Sequence, residues 1–218
     1  MNPEIILEVR VVLFSLHQNR LQVLLLCSDP LTEARNLPGN LLAANCSFEA
    51  TATQVLAGYM QRHETFLEQL YTYGAVQRMV NGSRLVSVVY YALVPADAIL
   101  FSSDVSQAGW FPVAELPSLV SDVEEIIQYA LRRLRYKLEY TAVGFELLPE
   151  NFSLSELQST YEIILGEKLD KRNFRRRILE AGVIEPTPHL RAGEGRPARL
   201  FRYRPDAVAE VKARRLFP

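Results

Sequence analysis

The chain has 218 residues, 49% hydrophobic, 22% charged and 10% aromatic, a length and composition that bury a core unaided and exclude disorder as a description of the whole. Its longest apolar runs, such as Leu85–Val94, fall far short of the ~20 residues of a spanning helix, and Met1–Glu4 lack the basic start of a secretory leader, so no membrane association and a cytoplasmic address are expected. The net charge of −1 hides an uneven split, with 10 Lys+Arg against 16 Asp+Glu in residues 1–150 (net −6) and 14 against 9 in residues 151–218 (net +5), as expected of an acidic module joined to a basic one that meets a polyanion.

In chain order, Glu4–Leu16 and Arg20–Cys27 are β-branched or apolar runs joined by His17, Gln18 and Asn19, a hairpin signal. A helix is expected over Phe48–Arg62, with Phe48, Ala52, Val55, Leu56 and Tyr59 on one stripe. Strand signals return at Phe66–Tyr73 and Arg84–Val94, with Asn81 and Gly82 marking the turn between them. Near Ser121 the period changes. Ser121 and Glu124 suit a capping box, and Val123, Ile127, Leu131, Leu134 and Leu138 repeat at helical spacing, ending in Arg132, Arg133, Arg135 and Lys137, which complement the helix dipole. Cys27 and Cys46 stand in apolar surroundings and read as buried free thiols. The three histidines, His17, His63 and His189, have no ligand spacing, and neither a metal nor any cofactor is implied.

A second module starts after Pro149. Ser153 and Glu156 form a capping box, Leu157, Tyr161, Ile164 and Leu165 mark an amphipathic helix over Leu154–Leu165, and Gly166 stops it. Asp170 caps a second helix that runs to Gly182, giving helix, tight turn, helix. At about 100° per residue, Phe174, Ile178 and Ala181 share one arc of that helix and face a core, while Arg172, Arg175 and Arg176 lie opposite, with Asn173 on the flank. Arginine forks onto guanine O6 and N7 and asparagine onto adenine N6 and N7, so this face has donors for bases as well as phosphates. Val183–Glu185 suit a short strand ended by Pro186 and Pro188. Gly193 and Gly195 suit a hairpin tip, and the returning strand sets Phe201 and Tyr203 inward against Arg202 and Arg204 outward. Helix-turn-helix followed by an arginine-bearing hairpin is the layout of a winged helix. The bland alternative, a solvated helix beside a protein-binding hairpin, is disfavoured because such surfaces mix Glu with Arg and this one hardly does.

The segments Leu37–Asn40, Leu67–Gly74, Arg84–Pro95 and Gly109–Pro117 resemble a Nudix domain. The continuation from Lys137 through DKRNFRR and GRPARLFR is similar to the Nudix-related transcriptional regulators of the NrtR family. The resemblance implies an α+β chain: a Nudix-like mixed-sheet α/β/α effector domain at 1–146, including a linking helix at about 121–138, then a winged helix-turn-helix domain at 147–218. It further implies a homodimer on a palindromic double-stranded operator, repression of NAD-metabolism genes and a small-molecule effector such as ADP-ribose, although some relatives govern sugar utilisation instead. Lys171, Arg172, Asn173, Arg175, Arg176, Arg196, Arg199 and Arg202 are the expected DNA contacts, with Arg172, Asn173 and Arg176 on bases and the others on phosphates. Tyr73 and Arg78 are the expected effector contacts.

The Nudix signature decides enzyme against sensor, because its glutamates hold Mg²⁺ against a pyrophosphate and help activate water. Here the opening glycine aligns with Asn40, the first glutamate with Cys46, the arginine with Gln54 and the helix glutamates with Val55, Gly58 and Tyr59. Glu49 is the only carboxylate between Arg35 and Arg62. The expectation is therefore a chain that is not an enzyme. The rivals are a Nudix hydrolase acting on ADP-ribose-like substrates and a protein-interaction module whose basic tail docks an acidic partner.

Overall fold

The computed structural model describes residues 4–27, 34–60, 65–75, 78–99, 108–120, 122–192, 197–204 and 207. The chain divides into two units: Met1–Ser15, Gln22–Val94 and Ala98–Ala130 form one, and Leu16–Leu21, Pro95–Asp97 and Leu131–Pro218 the other. The expected cap Ser121, the hairpin-tip glycines Gly193 and Gly195, and Arg196, Arg62 and His63 lie outside the described residues.

The first unit is built on strand β1 (Ile5–His17), which pairs with β2 (Arg20–Cys27) across a turn where Gln18 and Asn19 have φ of 51° and 57°. Two successive positive φ values match the right-handed twist of the flanking strands. Strands β3 (Arg35–Asn36) and β4 (Gly39–Leu41) follow, then helix α1 (Phe48–Ala57), β5 (Phe66–Tyr73), β6 (Met79–Val80), β7 (Ser83–Val94) and β8 (Ala108–Pro112). The sheet order is β3-β2-β1-β7-β5, with β4 added to β1, β6 to β7 and β8 to β2. The β1–β7 pair is parallel and the other registered pairs antiparallel, so the sheet is mixed and needs cover on both faces. Val9, Val11, Leu13, Val88, Tyr90 and Ala92 pack with Ala52, Val55, Leu56 and Met60 of the α1 side. The alternate residues Val12, Phe14, Val89, Tyr91 and Leu93 are equally buried; Asp122, just before helix α2 (Val123–Tyr140), pairs with Arg10, and Tyr129 of α2 meets the Tyr71 ring. This is an α/β/α arrangement. Helix α1 ends at Ala57, short of the expected Arg62, because Gly58 takes the C-cap and Met60 forms a bridge to Ile99. Cys27 and Cys46 are free thiols but half-exposed rather than buried, since Cys27 ends β2 and Cys46 lies in the loop before α1.

The second unit takes up α2 from Leu131 and adds a 3-10 turn at Val143–Leu147, β9 (Phe152–Ser153), α3 (Leu154–Leu165), α4 (Lys171–Glu180), β10 (Ile184–Arg191) and β11 (Ala198–Tyr203). The capping box is complete: Ser153 Oγ accepts from the Glu156 amide at 3.2 Å, and Glu156 Oε2 accepts from the Ser153 amide at 2.7 Å. Gly166 closes α3 with φ 79°, which only glycine adopts without strain. Leu134, Leu138, Leu157, Tyr161, Ile164, Phe174, Ile178 and Val183 are buried together with Phe145, Phe152 and Leu200. A Cβ on Gly144 would sit 2.9 Å from both Leu138 and Tyr161, so the backbone comes closer here than any side chain permits. The strands order β10-β11-β9. The prolines do not end the first of them: β10 runs on through Pro186 and Pro188 to Arg191 with an irregular register between Pro186 and Leu190. An edge strand at a bulge is where a sheet tolerates residues without an N–H.

Candidate nucleic-acid interface

Helix α4 owes its start to Asp170, whose carboxylate accepts from the Asn173 amide at 2.7 Å. Its orientation follows from Phe174 and Ile178, 2% and 0% exposed. With those two anchored, the 3.6-residue period turns Arg172 and Arg176 to the surface; Lys171, at the first position of the helix, shares the arc of Phe174 and Ile178, and all three cations are exposed. Asn173 is half-buried on the flank and accepts from Arg176 Nη2 at 2.9 Å. Arg176 Nη1 also lies 3.5 Å from both carboxylate oxygens of Glu180.

The turn before α4 is held by a residue that periodicity does not reveal. Glu162, on α3, accepts from Lys168 Nζ at 2.8 Å, Gln158 Nε2 at 2.9 Å and the Leu169 amide at 3.1 Å. These donors, Lys168 first, hold its carboxyl down to about 2. Arg135 adds a second brace by donating from Nε to the Ile164 carbonyl at 2.8 Å.

The remaining expected contacts divide. Arg175 is half-buried and donates to Ser155 Oγ at 3.0 Å, beside the N-terminus of α3, while its Nε has no acceptor. Arg199 is exposed on β11. Arg202 is exposed too, but lies directly opposite Glu185 and donates to it. Arg204 turns inward and donates to the Gly182 carbonyl at 2.9 Å, against the expected outward position, because the chain leaves β11 beside the end of α4. Arg191, which the sequence did not single out, donates to Glu156 and to the Asn151 carbonyl at 3.0 Å, tying β10 to the start of α3. The expected near-absence of Glu on this surface fails, since Glu180 and Glu185 pair with Arg176 and Arg202. Glu180 is legible as an i,i+4 partner of Arg176, whereas Glu185 becomes a partner only once the register is known.

In the first unit, Tyr73 and Arg78 both lie beside Asp122. Burial, then the charges of Glu125 and Asp122 and the neighbouring Tyr129 and Tyr71, push the Tyr73 phenol up to about 12. Its ring meets Tyr71 edge-on at 5.1 Å. The Arg78 guanidinium is already engaged: Nη2 lies 3.1 Å from Glu8, Nε 3.2 Å from Asp122, and Nη1 donates to Ser87. Arg10, 3% exposed, shares Asp122 at 3.0 Å. Two arginines therefore face two carboxylates in a closed network, and an anion reaching Arg78 must displace one of them. At the positions that align with the Nudix arginine and helix glutamates, Gln54 is exposed, Val55 buried and Tyr59 half-buried, while Glu49 accepts from the Tyr90 hydroxyl at 3.1 Å. Its own backbone amide first, and then the bond from Tyr90, hold the Glu49 carboxyl below the usual carboxylate range. Among the described residues, no three His, Cys, Asp or Glu side chains gather as a metal site would require, and no helix is long and apolar enough to cross a membrane.

Comparison with known proteins matches residues 144–203 to the NrtR DNA-binding winged helix domain. Over 208 residues, 92% of this chain and 83% of the relative, it is 34% identical to an ADPR-responsive transcriptional repressor of Acinetobacter baylyi. It is also similar to the crystal structure of Shewanella oneidensis NrtR complexed with a 27mer DNA, at a TM-score of 0.82 and 34% identity, covering 93% of this chain and 95% of that one. A third likeness is to the Nudix domain of the same Shewanella protein complexed with ADP ribose, at a TM-score of 0.50 and 32% identity, covering 62% of this chain and 90% of that one.

Proposed function

The chain belongs to the NrtR family, and we propose that it is a transcriptional repressor that binds double-stranded operator DNA as a homodimer and releases it when a nucleotide-type effector occupies its Nudix-like domain. The observation that carries this reading is the face of α4, where buried Phe174 and Ile178 leave Lys171, Arg172 and Arg176 exposed on a helix of a winged-helix unit. In this reading residues 1–146 sense the effector and residues 147–218 bind DNA. Arg172, Asn173 and Arg176 read base edges, and Lys171, Arg175, Arg196, Arg199 and Arg202 hold phosphates. Two copies bind half-sites about one helical turn apart.

ADP-ribose is the first effector to test, because a related Nudix domain binds it. Tyr73 offers a stacking face, and Arg78 offers a guanidinium once an anionic ligand displaces Glu8 or Asp122. A role in NAD metabolism follows the family rather than any residue named here. In this reading the chain does not hydrolyse such ligands: Cys46, Val55, Gly58 and Tyr59 stand where a Nudix hydrolase has glutamates, and Glu49, which accepts from the Tyr90 hydroxyl, lacks the partner carboxylates that hold Mg²⁺ against a pyrophosphate and activate water.

A band-shift titration with DNA from upstream of the chain's own gene tests the reading. Binding that weakens steeply with salt and is reversed by ADP-ribose supports it. Binding that is indifferent to salt or sequence removes the regulator, and binding unmoved by ADP-ribose removes that effector. Magnesium-dependent release of AMP from ADP-ribose by the pure protein would overturn the assignment as a non-enzyme.

A further inference from the structure

Two glutamates interrupt the basic face, Glu180 on α4 and Glu185 on β10. Glu185 pairs with Arg202 directly across the β10–β11 ladder, and a cross-strand pair of opposite charge supports a sheet by itself. Glu180 has no such local reason. It occupies the last turn of α4, where the unpaired carbonyls carry partial negative charge and an acid is unfavourable. It follows Arg176 by four residues, the weaker order for a helical ion pair. Both partners are 60% exposed, where such a pair contributes little to stability.

What Glu180 does is hold one end of Arg176. The guanidinium is bridged along the helix surface, with Nη2 bonded to Asn173 at 2.9 Å and Nη1 3.5 Å from both Glu180 oxygens. Among the described residues, Lys171, Arg172 and Arg199 have no carboxylate partner. Of the exposed cations on α4, then, Arg176 is the one whose charge is compensated within its own helix.

We propose that Glu180 is a specificity-determining, positioning residue of the DNA face, reserving Arg176 for a base edge and withholding it from phosphate. The proposal rests on the DNA-binding function inferred above. Binding to arbitrary sequence comes from cations neutralising phosphates. In such a complex Arg176 brings little net charge, and the adjacent carboxylate repels the backbone. At the correct site guanine O6 and N7 offer the fork two acceptors. They replace Glu180 and Asn173 without pressing phosphate against the acid. The penalty therefore falls on wrong sequences, which is how a repulsive element raises discrimination.

The test uses full-length wild type, Glu180→Gln and Glu180→Asp. Each is titrated against two labelled duplexes, one selected from a random pool by the wild-type protein and one of the same composition with its sequence shuffled, between about 50 and 200 mM salt. For Glu180→Gln the shuffled duplex is expected to bind about five- to tenfold more tightly, with a salt slope steeper by up to about one, while affinity for the selected duplex changes less. Glu180→Asp, which keeps the charge, should keep the wild-type slope on shuffled DNA. A Glu180→Gln protein whose affinity and slope on shuffled DNA match wild type, or whose affinity rises equally for both duplexes, overturns the proposal. A wild type that selects no sequence removes the DNA-binding reading itself, and the proposal with it.

Discussion

At the scale of single residues, what matters is which cations are bound and which are available. Arg176 stands on the exposed arc of α4 beside Asn173, and in the proposed reading it contacts base edges. Arg176→Ala should cost ~1–3 kcal/mol on the selected duplex and relax the preference at one base position. Arg199→Ala should weaken selected and shuffled duplexes alike and reduce the salt slope by about one. Fluorescence anisotropy with both duplexes checks the pair, and identical behaviour of the two variants would remove the division between base and phosphate contacts. Glu162 acts through protons. Its carboxyl is depressed from 4.5 to about 2, so its contribution to stability is present above the unfolded value and is lost as pH falls from about 4.5 towards 2. Melting temperatures followed by circular dichroism should decline through that window more steeply for wild type than for Glu162→Gln. Parallel curves would show that the carboxylate does not hold the turn.

At the scale of elements, the helical half of the reading unit was legible because its signals are local. Ser153 and Glu156 cap α3, Gly166 ends it with φ 79° and Asp170 starts α4. The turn glycine Gly82, at φ 82°, likewise marks the β6–β7 hairpin. Ser153→Ala should lower stability by about 0.5–2 kcal/mol, visible in chemical denaturation, and an unchanged midpoint would mean that the box contributes nothing. Gly144→Ala should also destabilise, since its new Cβ would meet Leu138 and Tyr161 at 2.9 Å. What resisted reading depends on partners distant in sequence. Pro186 and Pro188 break a strand only if it is interior, and β10 is at an edge. Arg204 points inward because of a carbonyl 22 positions away. Arg78 is engaged through Glu8, 70 positions away, and Asp122, and no spacing rule anticipates that network.

At the scale of the whole molecule, the uneven charge of the two halves and the resemblance to NrtR regulators gave the architecture its outline, a mixed-sheet domain followed by a winged helix. The expected effector contacts were less legible, because the absence of glutamates at the Nudix-aligned positions carries no positive sign of what a ligand would meet instead. The structure adds a tyrosine cluster and a closed ion network around Asp122. Removing divalent metal with a chelator should therefore leave DNA binding and its response to ADP-ribose unchanged, and dependence of either on Mg²⁺ would show a metal site. The most direct measurement is equilibrium binding of the full-length wild type to a selected and a shuffled duplex at physiological salt. A preference of about 10³-fold or more, typical of specific regulators, is the predicted result. Equal affinity for the two duplexes would contradict the claim that the exposed face of α4 reads sequence.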